Sequence, residues 1–290
     1  MTVSNGQDGS ANRAQIDYWN ETAGEIWARY QAQLDRQIEP LGNEAMRVLA
    51  AQPGERVLDV GCGCGQTTVA LAQQVGPSGT VIGVDISAPM LNVARARTVP
   101  DGASDPQFVE ADAQGAALGE AVFDAIFSRF GVMFFSDPTA AFTNLRRALK
   151  PTGRLTFVCW RPYQENLWMR LPMDAAQPFL PTPKPSDPTA PGPFAFSDDD
   201  RVRAILADAG FSDVTITPFN RLIGGGSLEQ TLDLTFRVGP LGAALRAHPE
   251  LAAGVEDAVK TVLADYETPD GVLMPAAVWI VEAHAVSPLD

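Results

Sequence analysis

The run Val57-Leu58-Asp59-Val60-Gly61-Cys62-Gly63-Cys64-Gly65-Gln66-Thr67-Thr68 sets glycine at every second position between an apolar stretch and a helical pattern. Alternating glycines open main-chain conformations closed to other residues and let a ligand lie on the backbone, and a helix start offers unpaired N–H donors. A strand before the glycines and a helix after them separate a cradle for a nucleoside-like cofactor from a glycine-rich surface turn. Two carboxylates end later strand-like runs. Asp85 closes the run 80–85, twenty positions beyond Gly65, the separation at which an acid meets ribose hydroxyls in strand-helix-strand nucleotide folds; Asp112 follows the run 107–110. A carboxylate accepts two hydroxyl protons at once. Cys62 and Cys64 find no third and fourth metal ligands, the histidines being His248 and His284 alone, so no metal is expected.

The elements that must position these residues follow from periodicity. Strands at 80–85, 107–110, 123–128 and 154–160 alternate with helices at 67–75, 89–97 and 138–149. Continuous apolar strands between helices predict an α/β fold with a doubly wound, mostly parallel sheet covered on both faces and ligands beyond the C-terminal strand ends. Upstream, Ile16, Trp19, Ala23, Ile26, Tyr30 and Leu34 share one helical face over 14–34, with Gly24 as a break, and a second helix spans 41–51. This aromatic segment is either a lid over the cofactor or a helix packed on the core. Prolines at 172, 178, 181, 183, 185, 188, 191 and 193 predict a stiff irregular loop over the site. A helix at 201–209 leads to a sixth strand at 214–217. Helical spacing of Leu228, Leu232 and Phe236, then of Leu251, Val255, Val259 and Leu263, predicts an insertion roofing the pocket, with Gly224-Gly225-Gly226 as a hinge or turn. The last strand is expected at 277–286. The organisation is thus an N-terminal helical segment at 1–52, a core at 53–219 containing the proline-rich loop 161–197, the insertion at 220–275 and the final strand at 276–290.

Composition narrows the partners. The 290 residues carry 35 acidic against 21 basic side chains, a net charge of −14 that repels phosphate backbones and anionic lipid surfaces. Arg146, Arg147 and Lys150 come nearest to a basic cluster and sit where a helix C-terminus favours cations. No nucleic-acid partner is expected. No stretch reaches membrane-spanning length and residues 1–13 lack an apolar signal core, so a cytoplasmic protein without membrane insertion is expected. Three cysteines make no disulfide framework.

On these residues the chain resembles the class I S-adenosylmethionine-dependent methyltransferases, in particular their ubiquinone/menaquinone C-methyltransferase-like branch. Asp59-Val60-Gly61-Cys62-Gly63-Cys64-Gly65 is similar to the family's first motif, an acid followed by alternating glycines, whereas dinucleotide-binding dehydrogenases more often show G-x-G-x-x-G. The resemblance implies S-adenosyl-L-methionine as cofactor and a seven-stranded sheet whose last strand is antiparallel. It implies that Asp59, Gly61, Cys62, Gly63 and Gly65 form the cradle. Asp85 takes the ribose hydroxyls, with Ile86 and Met90 adjoining, and Asp112 and Ala113 the adenine. Ser128 and Arg129 lie near the methionine moiety and the acceptor. The match is good over 56–160; the proline-rich loop and the insertion depart from the minimal fold and leave the acceptor open.

Methyl transfer from a sulfonium is an in-line displacement that needs positioning more than a catalytic triad. A base matters only where the nucleophile must lose a proton, and it must then lie within hydrogen-bond reach. His284 is expected at the sheet edge remote from ligand. His248, Tyr18 and Arg129 are weak candidates for a catalytic role, and Tyr163 for an acceptor contact. Met133, Phe134, Trp160, Trp168 and Met169 predict a small, largely apolar or aromatic acceptor methylated on O, N or C. The alternatives are a non-catalytic cofactor-binding protein and a nicotinamide-dependent oxidoreductase. Oligomeric state is not encoded in any of these features.

Overall fold

The computed structural model describes residues 12–182 and 187–285. Helices α1 (Arg13–Glu21), α2 (Ala23–Arg29) and α3 (Gln31–Leu49) open the chain. The expected pair of helices is therefore a trio. Its breaks fall at Thr22 (φ −129°, ψ −67°) and Tyr30 (φ −97°, ψ 15°) rather than at Gly24. Leu34, Ile38, Leu41, Ala45 and Leu49 recur at three- and four-residue spacing and are all buried, which carries α3 straight through Pro40. Burial of that stripe outweighs the hydrogen bond the proline cannot donate.

The core follows as β1 (Arg56–Val60), α4 (Gln66–Val75), β2 (Thr80–Asp85), α5 (Ala88–Arg95), β3 (Gln107–Glu110), β4 (Phe123–Arg129), α6 (Pro138–Ala148) and β5 (Leu149–Trp160). Neighbours among β1 to β5 pair in parallel, as continuous apolar strands between helices require. The Pro151-Thr152-Gly153 turn is drawn into β5 as an irregularity, the register shifting between Phe123↔Leu149 and Ala125↔Arg154.

Beyond β5 the expected irregular loop contains a helix, α7 (Leu167–Ala176), with Pro172 inside it. Met169, Pro172 and Ala176 are its buried face, so apolar spacing again prevails over proline. Pro183 and Pro185 lie outside the described residues. Next come α8 (Asp199–Asp208), β6 (Phe211–Gly226), α9 (Leu228–Arg237), α10 (Gly239–Ala247), α11 (Ala252–Ala264), β7 (Glu267–Thr268) and β8 (Gly271–Ala285). The sheet order is β3-β2-β1-β4-β5-β8-β6, with β7 pairing β8 off this path. On this path β8 alone runs antiparallel to the other six strands, as the resemblance implies.

Both late strands exceed their expected lengths. Pairs from Arg221↔Ala276 to Gly226↔Val272 turn the flanks of the supposed insertion into a two-stranded extension, and its helices occupy only the span from α9 to α11. Polar residues alternating along β6 hid the full extent of this strand from a search for apolar runs. Gly224 is neither hinge nor turn. It sits at a register shift with φ 135°, against the main chain of Val272. Val286, the expected end of the last strand, lies outside the described residues. The main apolar core fills the space between sheet and helices, while Leu241, Val255, Val259 and Leu263 form a second core with Ala176 of α7 and Met274 of β8. Among the described residues no helix is long and apolar enough to cross a membrane.

Candidate active site

Strands β1 and β2 end side by side, Val60 opposite Val84, so the glycine loop and the turn after β2 leave the sheet together. Asp85 joins them. Its Oδ2 accepts the Gly63 N–H at 2.7 Å and its Oδ1 the Ser87 N–H at 2.8 Å. Each oxygen keeps acceptor capacity beyond these bonds. Burial pushes this carboxyl up to about 6, opposed by the two N–H donors. The loop crosses the chain leaving β4 at Gly61, where φ is 66° and a Cβ would stand 2.7 Å from the Gly131 Cα.

A cavity of about 340 Å³ opens over these strand ends. At the β2 and β3 side its wall is Asp85, Ile86, Met90, Asp112 and Ala113; at the β4 and β5 side it is Phe130, Met133, Phe134, Trp160 and Trp168. Phe130 stacks on Trp160 with ring centroids 4.1 Å apart. Arg129, at the end of β4, also lines the cavity. Its Nη1 donates to Gln66 Oε1 at 2.6 Å and its Nη2 lies 3.7 Å from Asp35 of α3. Burial lowers the guanidinium's pKa and Asp35 opposes that shift.

The other expected cradle residues lie behind the cavity wall. Asp59 is fully buried, and its Oδ2 accepts the hydroxyls of Thr67 and Thr68, each at 2.7 Å, which pins the first turn of α4 under the loop. Burial raises its pKa and the two hydroxyls oppose that. Cys62 fills the space over Gly83 of β2. Gly63 contributes its N–H to Asp85 and faces the Met90 side chain, while Gly65 is the left-handed N-cap of α4. Ser128 is fully buried, its Oγ accepting the Gly131 N–H at 3.3 Å.

Of the weak catalytic candidates, Tyr18 and Arg129 reach the cavity and His248 does not: it caps α10 and faces Glu250 at 3.5 Å. His284 pairs with Arg154 early in β5, away from the ligand-side strand ends. Tyr163 packs edge-on against Phe194 outside the cavity lining. One residue escaped sequence reasoning altogether. Asn20 of α1 donates to the Ile86 carbonyl at 2.8 Å and accepts the Ala88 N–H at 2.9 Å, and Ser87 Oγ donates to the Trp19 carbonyl at 2.8 Å. These bonds fasten α1 onto the turn beside Asp85. Tyr18 and Trp19 thereby become part of the cavity wall, with Trp19 edge-on to Phe134 at 5.1 Å. No local signal marks Asn20, because its partners are contributed by a remote part of the chain.

An open sheet in this order, a glycine crossover and strand-end acids facing one cavity define a Rossmann-like protein built for a nucleoside-bearing cofactor. Residues 57–153 match the family model described as a methyltransferase domain. A demethylmenaquinone methyltransferase of Staphylococcus carnosus (strain TM300) is 30% identical over 184 residues, 60% of this chain and 75% of that protein. The nocamycin O-methyltransferase of Saccharothrix syringae is 31% identical over 118 residues, 41% of this chain and 42% of that protein. The structure of Haemonchus contortus phosphoethanolamine N-methyltransferase 2 in complex with S-adenosyl-L-methionine shares the fold at a TM-score of 0.57 and 17% identity, over 94% of this chain and 59% of that one. The chain belongs to the class I S-adenosylmethionine-dependent methyltransferases, on their ubiquinone/menaquinone C-methyltransferase-like branch. It is an enzyme of that family, whose cofactor is S-adenosyl-L-methionine.

Proposed function

We propose that the enzyme methylates an O, N or C atom of a small, largely apolar or aromatic acceptor seated against Phe134, Trp160 and Trp168. One observation carries this reading: a single cavity runs from the acids Asp85 and Asp112 to that aromatic wall. The residues fit the cofactor, since Asp85 is a desolvated carboxylate with acceptor capacity left for the two ribose hydroxyls. Ile86, Met90 and Ala113 are the apolar surfaces for the adenine, with Asp112 beside them, and Gly61 and Arg129 border the methionine end. When bound, S-adenosylmethionine supplies a methyl group activated by its positive sulfur. The chain's own contribution is alignment and dryness. Trp19, Phe130 and Trp160 exclude water, and holding the nucleophile in line is worth up to about 7–11 kcal/mol in favourable cases.

The relatives' names specify O and N acceptors on a shared core, which supports reading acceptor choice from the segments outside it. The net charge of −14 supports a small-molecule acceptor rather than nucleic acid. Incubation with methyl-labelled cofactor and a panel of phenols, quinols and amines tests the reading. Label should move to at least one aromatic acceptor. Tight S-adenosylhomocysteine binding with no transfer across the panel would favour a non-catalytic binding protein, and NADH binding in its place would overturn the cofactor assignment.

A further inference from the structure

Helix α3 carries two residues that its buried apolar stripe does not call for, a carboxylate at Asp35 and a glycine at Gly42, seven positions and so about two turns apart on one face. A glycine inside a helix is unfavourable beside alanine and marks a close approach where it is kept. Here the approach is that of Arg129, since a Cβ on Gly42 would stand 2.8 Å from the Arg129 Cδ. The stem of Arg129 thus lies across the helix. Its guanidinium ends between Gln66, to whose Oε1 it donates at 2.6 Å, and Asp35, 3.7 Å from its Nη2. The same carboxylate holds a second guanidinium. Arg97, just past α5, donates through Nη2 to Asp35 Oδ2 and through Nε to the Cys64 carbonyl inside the glycine loop. Gln31, one turn back along α3, donates to that carboxylate oxygen too. The side chains of Asp35, Arg97 and Arg129 are only 14%, 21% and 10% exposed, so solvent screens this cluster far less than a surface pair.

We infer that Asp35 is a positioning residue for the cofactor: from outside the cavity wall it sets the second half of the glycine loop and the Arg129 guanidinium for the methionine end of S-adenosylmethionine. This rests on the placement of that end beside Gly61 and Arg129 in the proposed function and adds how the place is kept. Two guanidiniums repel each other, and the carboxylate between them draws both onto α3. Through Arg97 it fixes the main chain at Cys64, and through Arg129 the side chain of Gln66, so the loop is held on both sides of Gly65, the N-cap of α4. Asp35 itself is absent from the cavity wall, which α3 reaches through Leu34, Gln37 and Ile38. Its removal would leave both guanidiniums uncompensated in a poorly hydrated place, a larger loss than that of an exposed pair. The α-carboxylate of the methionine end is the one anionic group of the cofactor. A displaced Arg129 is therefore felt there and not at the adenine.

Calorimetry with S-adenosylhomocysteine and 5′-methylthioadenosine tests this, the second ligand keeping the adenine, ribose and sulfur but lacking the amino and carboxyl groups of the methionine end. Asp35→Asn, close in shape, should weaken S-adenosylhomocysteine about 10-fold and leave 5′-methylthioadenosine within about twofold, which also reports a folded site. Arg129→Gln should show the same selectivity, and the double variant should lose less than the product of the two single losses, because Asp35 acts through Arg129. Gly42→Ala favours the helix itself but displaces the Arg129 stem; it should repeat the selective loss, and it decides alone if Asp35→Asn does not fold. Equal weakening of both ligands by these α3 variants would make the cluster a packing device and overturn the inference. Unchanged S-adenosylhomocysteine affinity would do the same, as would fully multiplicative losses in the double variant. If Arg129→Gln itself fails to separate the two ligands, the methionine end lies elsewhere and that part of the proposed function falls together with this inference; selectivity in Arg129→Gln without any in Asp35→Asn removes the inference alone.

Discussion

At the residue scale the site turns on Asp85. Burial holds its carboxyl up at about 6, above the usual carboxylate value, so the folded chain keeps a proton that the unfolded chain has released. Its contribution to stability is therefore present at low pH and lost as pH rises from the ordinary carboxylate range through about 6. Asp85→Asn removes that loss, and in thermal unfolding near pH 7 the free variant should melt no lower than the wild type. Binding runs the other way, because only the ionised form offers both oxygens as acceptors. S-adenosylhomocysteine affinity should rise with pH through about 6 in the wild type, stay flat in the variant, and be weaker there by roughly 1.5–3 kcal/mol at neutral pH. At Gly61 the backbone itself is the constraint. Gly61→Ala would place a Cβ 2.7 Å from the Gly131 Cα at a φ of 66°, and should cost roughly 1–3 kcal/mol in chemical denaturation together with cofactor binding. Asp85 was legible in the sequence because it closes an apolar run, and Asp112 because it stands at the end of the next short strand as Asp85 does of the second. The orientation of Asp59 was not, because a side chain one position from a glycine loop faces either ligand or helix according to a pleat that only the assembled sheet fixes.

At the element scale α1 stands apart, since no residue within it is buried and it is held at its C-terminal end by Asn20 and Trp19. Whether an aromatic N-terminal helix covers a site or packs beside it could not be read from its spacing, which is the same in both cases. Hydrogen bonds to Ile86 and Ala88 hold its C-terminal end beside the cavity, where Tyr18 and Trp19 join the wall. Asn20→Ala should free α1, raising amide hydrogen exchange over its backbone and the KM for the acceptor, while the melting temperature moves by less than about 4 °C. An unchanged exchange pattern would show that Trp19 packing alone holds the helix. The second apolar core gives a contrasting case. Leu263, fully buried among Val255, Val259 and Leu241, is remote from the glycine loop in the chain. Leu263→Ala should cost about 2–5 kcal/mol on unfolding, as cavity-forming substitutions do, and leave S-adenosylhomocysteine affinity within twofold.

At the scale of the whole molecule, the parallel half of the sheet was legible because strands buried on both faces read as unbroken apolar runs between helices. The late strands were legible only as the short spans 214–217 and 277–286, and their full lengths were not. β6 has its side chains mostly partly exposed, and its partner β8 begins inside a segment whose helical spacing dominates the reading. The consequence is functional: β8, α7 and the helices from α9 to α11 form a second core, and Val238, Gly239 and Pro240 from that region reach the cavity wall. On the proposed function, cofactor binding sits in the parallel half of the chain and acceptor recognition is assembled from α1, α7 and the insertion, all of which reach the cavity wall or border it. A crystal structure of the S-adenosylhomocysteine complex tests this division most directly. The account expects ribose density on Asp85, adenine between Ile86 and Ala113, and the sulfur directed at the space bounded by Trp19, Trp160 and Trp168. Density for the nucleoside elsewhere, or a sulfur turned away from that aromatic space, would contradict it.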